Sequence, residues 1–317
     1  MISDKQNMFE QKAFAKINLI LKVLNKRPDN YHNIFTLMHK ISLYDTITVL
    51  PYSENISVEC DVNLGISQEE NIVYKAAKAL LEYTNTDKTA QIKIQKKIPI
   101  GAGLGGGSSN AATTLKLLNQ YWKLNLSMSS LHKIAITLGS DVPFFLEDYP
   151  KWVYGKGEFC EILDLIRKVN GRLEYYYSSR KIIIVYPKIH INTGLAYQKL
   201  NRDIEDTAIN YDTHTEKIMK YENMFEYKSN NISSMFFKKK MINDFEEIIF
   251  DEYPEIAEIY KDLKKASRGK TRLTGSGSSV FGLFGNIKKA KNIQIQLKQK
   301  YKEENKDYKV YLGKLIP

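Results

Sequence analysis

The sequence predicts an α+β chain in two lobes. Strand-like and helix-like segments mix without regular βα alternation, which argues against a doubly wound sheet. A glycine-rich run at 98–110 joins an Ile-alternating segment to one of helical spacing. The polar stretch Glu147-Asp148-Tyr149-Pro150 ends in proline and marks a boundary, giving a first lobe of residues 1–150 and a second of 151–317.

The elements follow in order. Residues 13–23 alternate strictly, with Ala15, Ile17, Leu19, Leu21 and Val23 on one face and Phe14, Lys16, Asn18, Ile20 and Lys22 on the other. Lys16 and Asn18 therefore leave the same face of a strand. Arg27-Pro28-Asp29-Asn30 is a turn, and a strand is expected at 45–50. Ser67 and Glu70 have capping-box spacing ahead of a helix over Ile72, Ala76, Ala79 and Leu80. Residues 91–98 read as a strand on which Lys96 falls among the apolar side chains. Ala111, Leu115, Leu118 and Trp122 form one helical stripe, which Ser108, Ser109 or Asn110 can cap. Residues 129–138 make a helix that stops at Gly139. Residues 181–186 are a buried strand, and 200–262 look largely helical, broken near Ser229-Asn230-Asn231. A strand–turn–strand at 272–284, a Lys/Gln-rich helix and a strand near 308–311 complete the chain.

The run Ile98-Pro99-Ile100-Gly101-Ala102-Gly103-Leu104-Gly105-Gly106-Gly107-Ser108-Ser109-Asn110 is built for phosphate. Glycine lets backbone N–H groups crowd around an anion, and a helix start behind the loop adds unpaired N–H groups and the positive end of a dipole. No Asp or Glu occurs from Ile98 through Ser140, so nothing acidic in this stretch repels a polyphosphate. The plain alternative is a flexible linker. Gly101, Gly103 and Gly106 match the dinucleotide spacing, but no acidic residue stands about 20 positions onward for a ribose. No Gly-Lys-Ser/Thr directly follows the glycine run, and the chain has neither a His-Arg-Asp nor an Asp-Phe-Gly tripeptide.

The 317 residues carry a formal charge of +11. Only seven of the 47 basic residues are Arg, the preferred partner of nucleic-acid phosphates and guanine edges, and the lysines are dispersed. Anionic small molecules fit this pattern better than nucleic acid does. No apolar run approaches 18 residues, so no membrane span is expected. Met1–Asn7 lacks an apolar signal core, and Cys60 and Cys160 form no disulfide or metal pattern. The expected setting is the reducing cytoplasm.

The loop resembles the Pro-x-x-x-Gly-Leu-Gly-Ser-Ser motif of the small-molecule kinase superfamily of galactokinase and the homoserine, mevalonate and phosphomevalonate kinases. Its longer form is similar to one branch, which phosphorylates the cytidyl diphosphate of a methylerythritol in the non-mevalonate isoprenoid route. Ala15-Lys16-Ile17-Asn18-Leu19 with Asn30-Tyr31-His32, Thr137–Pro143 and Arg272–Phe281 resemble further motifs of that branch. The likeness is dense over 13–160, returns at 184–197 and 272–284, and is slight over 200–265. It implies an N-terminal lobe of the ribosomal-protein S5 type carrying the nucleotide loop. The C-terminal lobe would be an α/β sandwich that supplies a second glycine turn and substrate contacts. It also implies ATP as donor, Mg²⁺ held mainly by phosphates and water with Ser108 or Ser109 as the candidate side-chain contact, and a monomer or weak homodimer.

The resemblance also assigns roles. Asp141 is the general base; the plain alternative is a cap of a short helix begun by Pro143. Lys16 partners Asp141 and the reacting hydroxyl; the alternative is a solvent-facing strand lysine. Asn18 would share that substrate pocket. Tyr31 and His32 contact the cytosine of the substrate, and Tyr197 covers it with Thr193 alongside, although the segment departs from the family at Ile189-His190. Asn71 and Lys96 match positions near the adenine, with Pro99, Gly101, Gly103, Leu104, Gly105, Gly106, Gly107, Ser108 and Ser109 around the phosphates. A lysine snorkelling past the core edge explains Lys96 equally well. Gly275, Ser276 and Gly277 would close on the substrate phosphates; a simple hairpin bend is the alternative. Two rivals remain: a sister kinase acting on homoserine or a mevalonate derivative, and a basic RNA-binding module, which has no use for Asp141 or for two glycine turns.

Overall fold

The computed structural model describes residues 9–162, 166–169, 172–175, 180–202 and 241–316. The chain forms two compact units, residues 1–17 with 40–148 and residues 18–39 with 149–317. The first unit is thus not the continuous stretch 1–150. Two long strands, β1 (Phe9–Lys26) and β2 (His32–Leu50), each give one end to either unit. Both run buried on two faces through their middles; β1 keeps its alternation in the sequence, whereas β2 shows none over 32–41, which explains why only 45–50 of β2 reads as a strand.

In the first unit, β2 pairs antiparallel with β4 (Ala90–Gln95) in the register Thr46↔Gln95 to Leu50↔Gln91. β3 (Ile56–Cys60) pairs parallel with β4. Four helices complete the unit: α1 (Ile72–Thr84), α2 (Gly106–Tyr121), α3 (Met128–Leu138) and the single turn α4 (Val142–Phe145). The capping box forms, with Ser67 N–H donating to Glu70 at 2.8 Å, but it closes a turn. Asn71 then caps α1 by accepting from Val73 N–H at 3.0 Å. Ser127 caps α3, and Gly139 ends it. The strand expected over 91–98 stops at Gln95, because Asp61 takes the Lys96 amide and Asp45 those of Lys97 and Ile98 out of the ladder.

In the second unit, the outer half of β2 pairs with β5 (Lys151–Gly155), which pairs with β6 (Phe159–Ile162). β7 (Ile166–Val169) and β8 (Arg172–Tyr175) form an antiparallel pair. A second sheet includes β9 (Lys181–Tyr186), whose interior residues are all buried, as its Ile-Ile-Ile-Val run requires. α5 (Thr193–Lys199) follows, and β10 (Ile242–Asn243) pairs parallel with Ile20 and Leu21 of β1. α6 (Glu246–Glu252), α7 (Pro254–Ser267) and α8 (Ile287–Glu303) supply the helices. With β11 (Thr271–Leu273), β12 (Val280–Phe284) and β13 (Lys309–Lys314), the second sheet runs β11-β12-β9-β13, antiparallel throughout. Its core gathers Ile183, Val185, Ile256, Ile259, Leu263 and Val280. The proposed break at Ser229-Asn230-Asn231 lies outside the described residues. Among these residues no helix is long and apolar enough to cross a membrane.

The run Asn243-Asp244-Phe245-Glu246 pins this unit together. Asp244 accepts from Val23 N–H at 3.0 Å and pairs with Lys22 at 2.8 Å. Glu246 accepts from Leu273 N–H at 2.9 Å. Burial raises the Glu246 carboxyl to about 7 despite the opposing pull of Arg272 and the Leu273 N–H. Its folded-state value lies above the ordinary 4.5, so its contribution to stability is full below pH 4.5 and is lost as pH rises through about 7. Thermal unfolding at pH 5 and pH 8 checks this: the melting-temperature advantage of the wild type over Glu246→Gln is larger at pH 5.

Candidate active site

The glycine loop is a cradle with a definite shape. Gly105 is the N-cap of α2 with φ 68°, in the left-handed region. It offers no side-chain cap, and the first turn holds no acidic residue. Ser108, Ser109 and Asn110, expected as caps, lie inside the helix, because it starts at Gly106. The positive end of α2 is thus left to an anion. A Cβ on Gly105 would stand 2.8 Å from Phe145 Cζ and 3.0 Å from Lys16 Cγ, which is why the chain needs glycine there.

A cavity of about 470 Å³ opens at this loop. Asn71, Lys96, Pro99, the stretch 101–107 and Ser108 line it; Ser109 is buried in α2 and does not. Ile72, Ile94 and Leu64 give it apolar walls suited to a flat ring. One carboxylate, Glu70, also reaches it, tied back to Ser67 N–H. Lys96 is not a snorkelling strand residue: its ammonium pairs with Asp45, which is fully buried.

Lys16 and Asp141 come together in the first unit. Lys16 is 3% exposed rather than solvent-facing, and its N–H donates to Leu104 O at 3.0 Å, which ties β1 to the loop. Its Nζ stands 3.6 Å from Asp141 Oδ2. Burial pushes the ammonium below the ordinary lysine value, while the Asp141 carboxylate pulls the other way. Asp141 does occupy the N-cap position of α4, with Pro143 in the first turn, yet its side chain makes no cap hydrogen bond. The carboxylate faces Lys16 instead, at the side of α2 where Phe145 and Lys16 meet Gly105.

The remaining candidates belong to the second unit. His32 opens β2 rather than lying in a loop, is 8% exposed, and stacks on Tyr197 with ring centroids 5.2 Å apart. That spacing leaves no room for a base between these two rings. Burial, with Lys26 and Arg202 nearby, lowers the His32 pKa and favours the neutral imidazole. Tyr31 is exposed at 55%, with the Lys156 ammonium 5.1 Å from its ring centre. Thr193 and Ser276 hydroxyls meet at 2.9 Å, joining α5 to the second glycine turn.

Asn18 spends its amide on that turn. Its Oδ1 accepts from Gly275 N–H at 2.9 Å, and its Nδ2 donates to Thr36 at 2.8 Å. It therefore shapes Gly275–Gly277 through hydrogen bonds. Asn243, which sequence reasoning missed, grips the same turn by donating to Leu273 O and Gly275 O, both at 2.9 Å. The signal that could have found it is the group of polar side chains Asn243, Asp244, Glu246 and Glu247, interrupted by Phe245, between Ile242 and Ile248.

The GHMP kinases N terminal domain matches residues 71–148, and the GHMP kinases C terminal domain matches 232–303. The chain is 41% identical over 279 residues to a 4-diphosphocytidyl-2-C-methyl-D-erythritol kinase of Thermodesulfovibrio yellowstonii, covering 88% of this chain and 90% of that one. A protein of the same name from Chloroherpeton thalassium is 35% identical, covering 91% and 94%. A crystal structure of 4-(cytidine 5′-diphospho)-2C-methyl-D-erythritol kinase superimposes with TM-score 0.70 at 28% identity, over 98% of this chain and all of that one. Homoserine kinase from Cytophaga hutchinsonii shares the fold, with TM-score 0.72 at 16% identity over 99% and 97% of the two chains. The chain belongs to the GHMP kinases, in the family of the 4-diphosphocytidyl-2-C-methyl-D-erythritol kinases.

Proposed function

We propose that the chain transfers the γ-phosphoryl group of ATP to the 2-hydroxyl of 4-diphosphocytidyl-2-C-methyl-D-erythritol, in the non-mevalonate route to isoprenoid precursors. The observation that carries this reading is the Lys16–Asp141 pair beside the uncapped start of α2. The relatives' names support the same substrate. GHMP kinases use ATP as phosphoryl donor, generally with Mg²⁺. The reading places the protein in the cytoplasm as a monomer or weak homodimer.

The chain's own residues do most of the work by position and charge. The N–H groups at the start of α2 hold the triphosphate, and Asn71 with the apolar walls takes the adenine; Lys96, expected beside the adenine, has its ammonium at Gly106 at the start of α2 and takes a phosphate oxygen instead. The Mg²⁺ that travels with ATP would supply charge neutralisation, with Ser108, which lines the cavity, as the side-chain contact in place of the buried Ser109. Asp141 takes the proton of the acceptor hydroxyl as its oxygen bonds to phosphorus and the bond to ADP breaks. Lys16 faces the Asp141 carboxylate and favours the negative charge growing on that oxygen. In the second unit, Tyr31, His32 and Tyr197 take the cytosine, and a neutral His32 can both donate to and accept from its edge. Thr193, Ser276 and the backbone of Gly275 and Gly277 face the substrate phosphates.

The deciding assay supplies Mg-ATP with the cytidyl diphosphate substrate, homoserine or mevalonate, and measures ADP. Release is expected with the first alone; release with homoserine and none with the cytidyl compound overturns the reading. Asp141→Asn is expected to lower kcat on the order of a thousandfold while the KM for ATP stays near wild type. The pH profile reports on Lys16. Its charged form is lost as pH rises through a lowered pKa, so activity falls on an alkaline limb centred below the ordinary 10.5. Lys16→Arg, charged throughout, is expected to lose that limb while turning over more slowly.

A further inference from the structure

We propose that Asp45 is a positioning residue of the phosphoryl-donor site, holding the Lys96 ammonium at the start of α2 and fixing the backbone that enters the glycine loop. The inference rests on reading residues 101–109 as the nucleotide cradle. Asp45 is fully buried on β2, one residue before the register pair Thr46↔Gln95. Its two oxygens divide the work. Oδ1 accepts from Lys97 N–H at 2.7 Å and Ile98 N–H at 2.8 Å, which turns the chain out of β4 toward Pro99. Oδ2 pairs with Lys96 Nζ.

The placement of Lys96 is the unusual feature. Its Nζ lies 3.2 Å from where a Cβ of Gly106 would stand, at the first residue of α2. A cation at the positive end of a helix is repelled by the dipole. A lysine stem left alone has rotamer freedom that carries its charge away to water. The buried carboxylate opposes both, so the ammonium waits where a phosphate oxygen arrives and the nucleotide need not order it. The same carboxylate balances the charge until the anion binds.

Asp45→Asn keeps an oxygen for both backbone amides and replaces the anionic partner of Lys96 by an N–H group. Steady-state kinetics with ATP and the cytidyl substrate test the idea. The expected result is a KM for ATP raised about tenfold, with kcat within about twofold and the acceptor KM unchanged. Lys96→Met is expected to match it, and the double variant to be no worse than either single one. Equal losses in kcat and in both KM values, or effects that add fully in the double variant, overturn the proposal in favour of a purely structural Asp45. An unchanged KM for ATP in Lys96→Met, in a protein that still consumes ATP, overturns the proposal and leaves the nucleotide reading standing. Failure of the wild type to release ADP with the cytidyl substrate removes that reading itself, and the proposal with it. Asp45→Ser, which keeps one acceptor and no charge, serves the same cycle if the amide variant does not fold.

Discussion

The close approach at Gly105 governs the first unit. Only a residue without a Cβ can hold φ 68° there while the Phe145 ring and the Lys16 stem pack against it. That contact fixes three things at once. α2 begins without a side-chain cap, so its amides are available to an anion. α4, which carries Phe145, follows directly after Asp141. Lys16, bonded through its own backbone to Leu104, brings its ammonium to that carboxylate.

Lysines buried or nearly so recur in this unit, each beside an oxygen. Lys16 faces Asp141, Lys96 pairs with Asp45, and Lys40 donates to Phe145 O at 3.0 Å and to Asp148 at 2.6 Å. An ammonium taken out of water needs such partners. The positive character of the glycine loop therefore comes from placed charges and a helix terminus. The net charge of +11, spread over solvated lysines, serves long-range attraction of anions and does not define the site.

The second unit holds its glycine turn by amide chemistry instead. Asn18 and Asn243 reach Gly275 from two different strands, one accepting from its N–H and the other donating to its carbonyl. Buried amides that satisfy each other in this way fix a turn without leaving a charge behind. The hydroxyls of Thr274, Ser278 and Ser279 beside this turn are fully buried.

The sequence by itself determined the glycine cradle, the acid-free stretch behind it, the stripe of α2, the stop of α3 at Gly139 and the parity that puts Lys16 and Asn18 on one strand face. These are local demands: glycine for a backbone without Cβ, and a fixed repeat for one apolar face. Only the tertiary structure decided that Lys16 is buried against Asp141, that Lys96 belongs to Asp45, that Asn18 is spent on hydrogen bonds, and that Asn243 takes part. It also decided that β2 runs from His32 to Leu50, where burial on both faces leaves no alternation to read. Ion pairs and amide bonds join residues remote in the chain, so they depend on which elements become neighbours, and no local period carries that information.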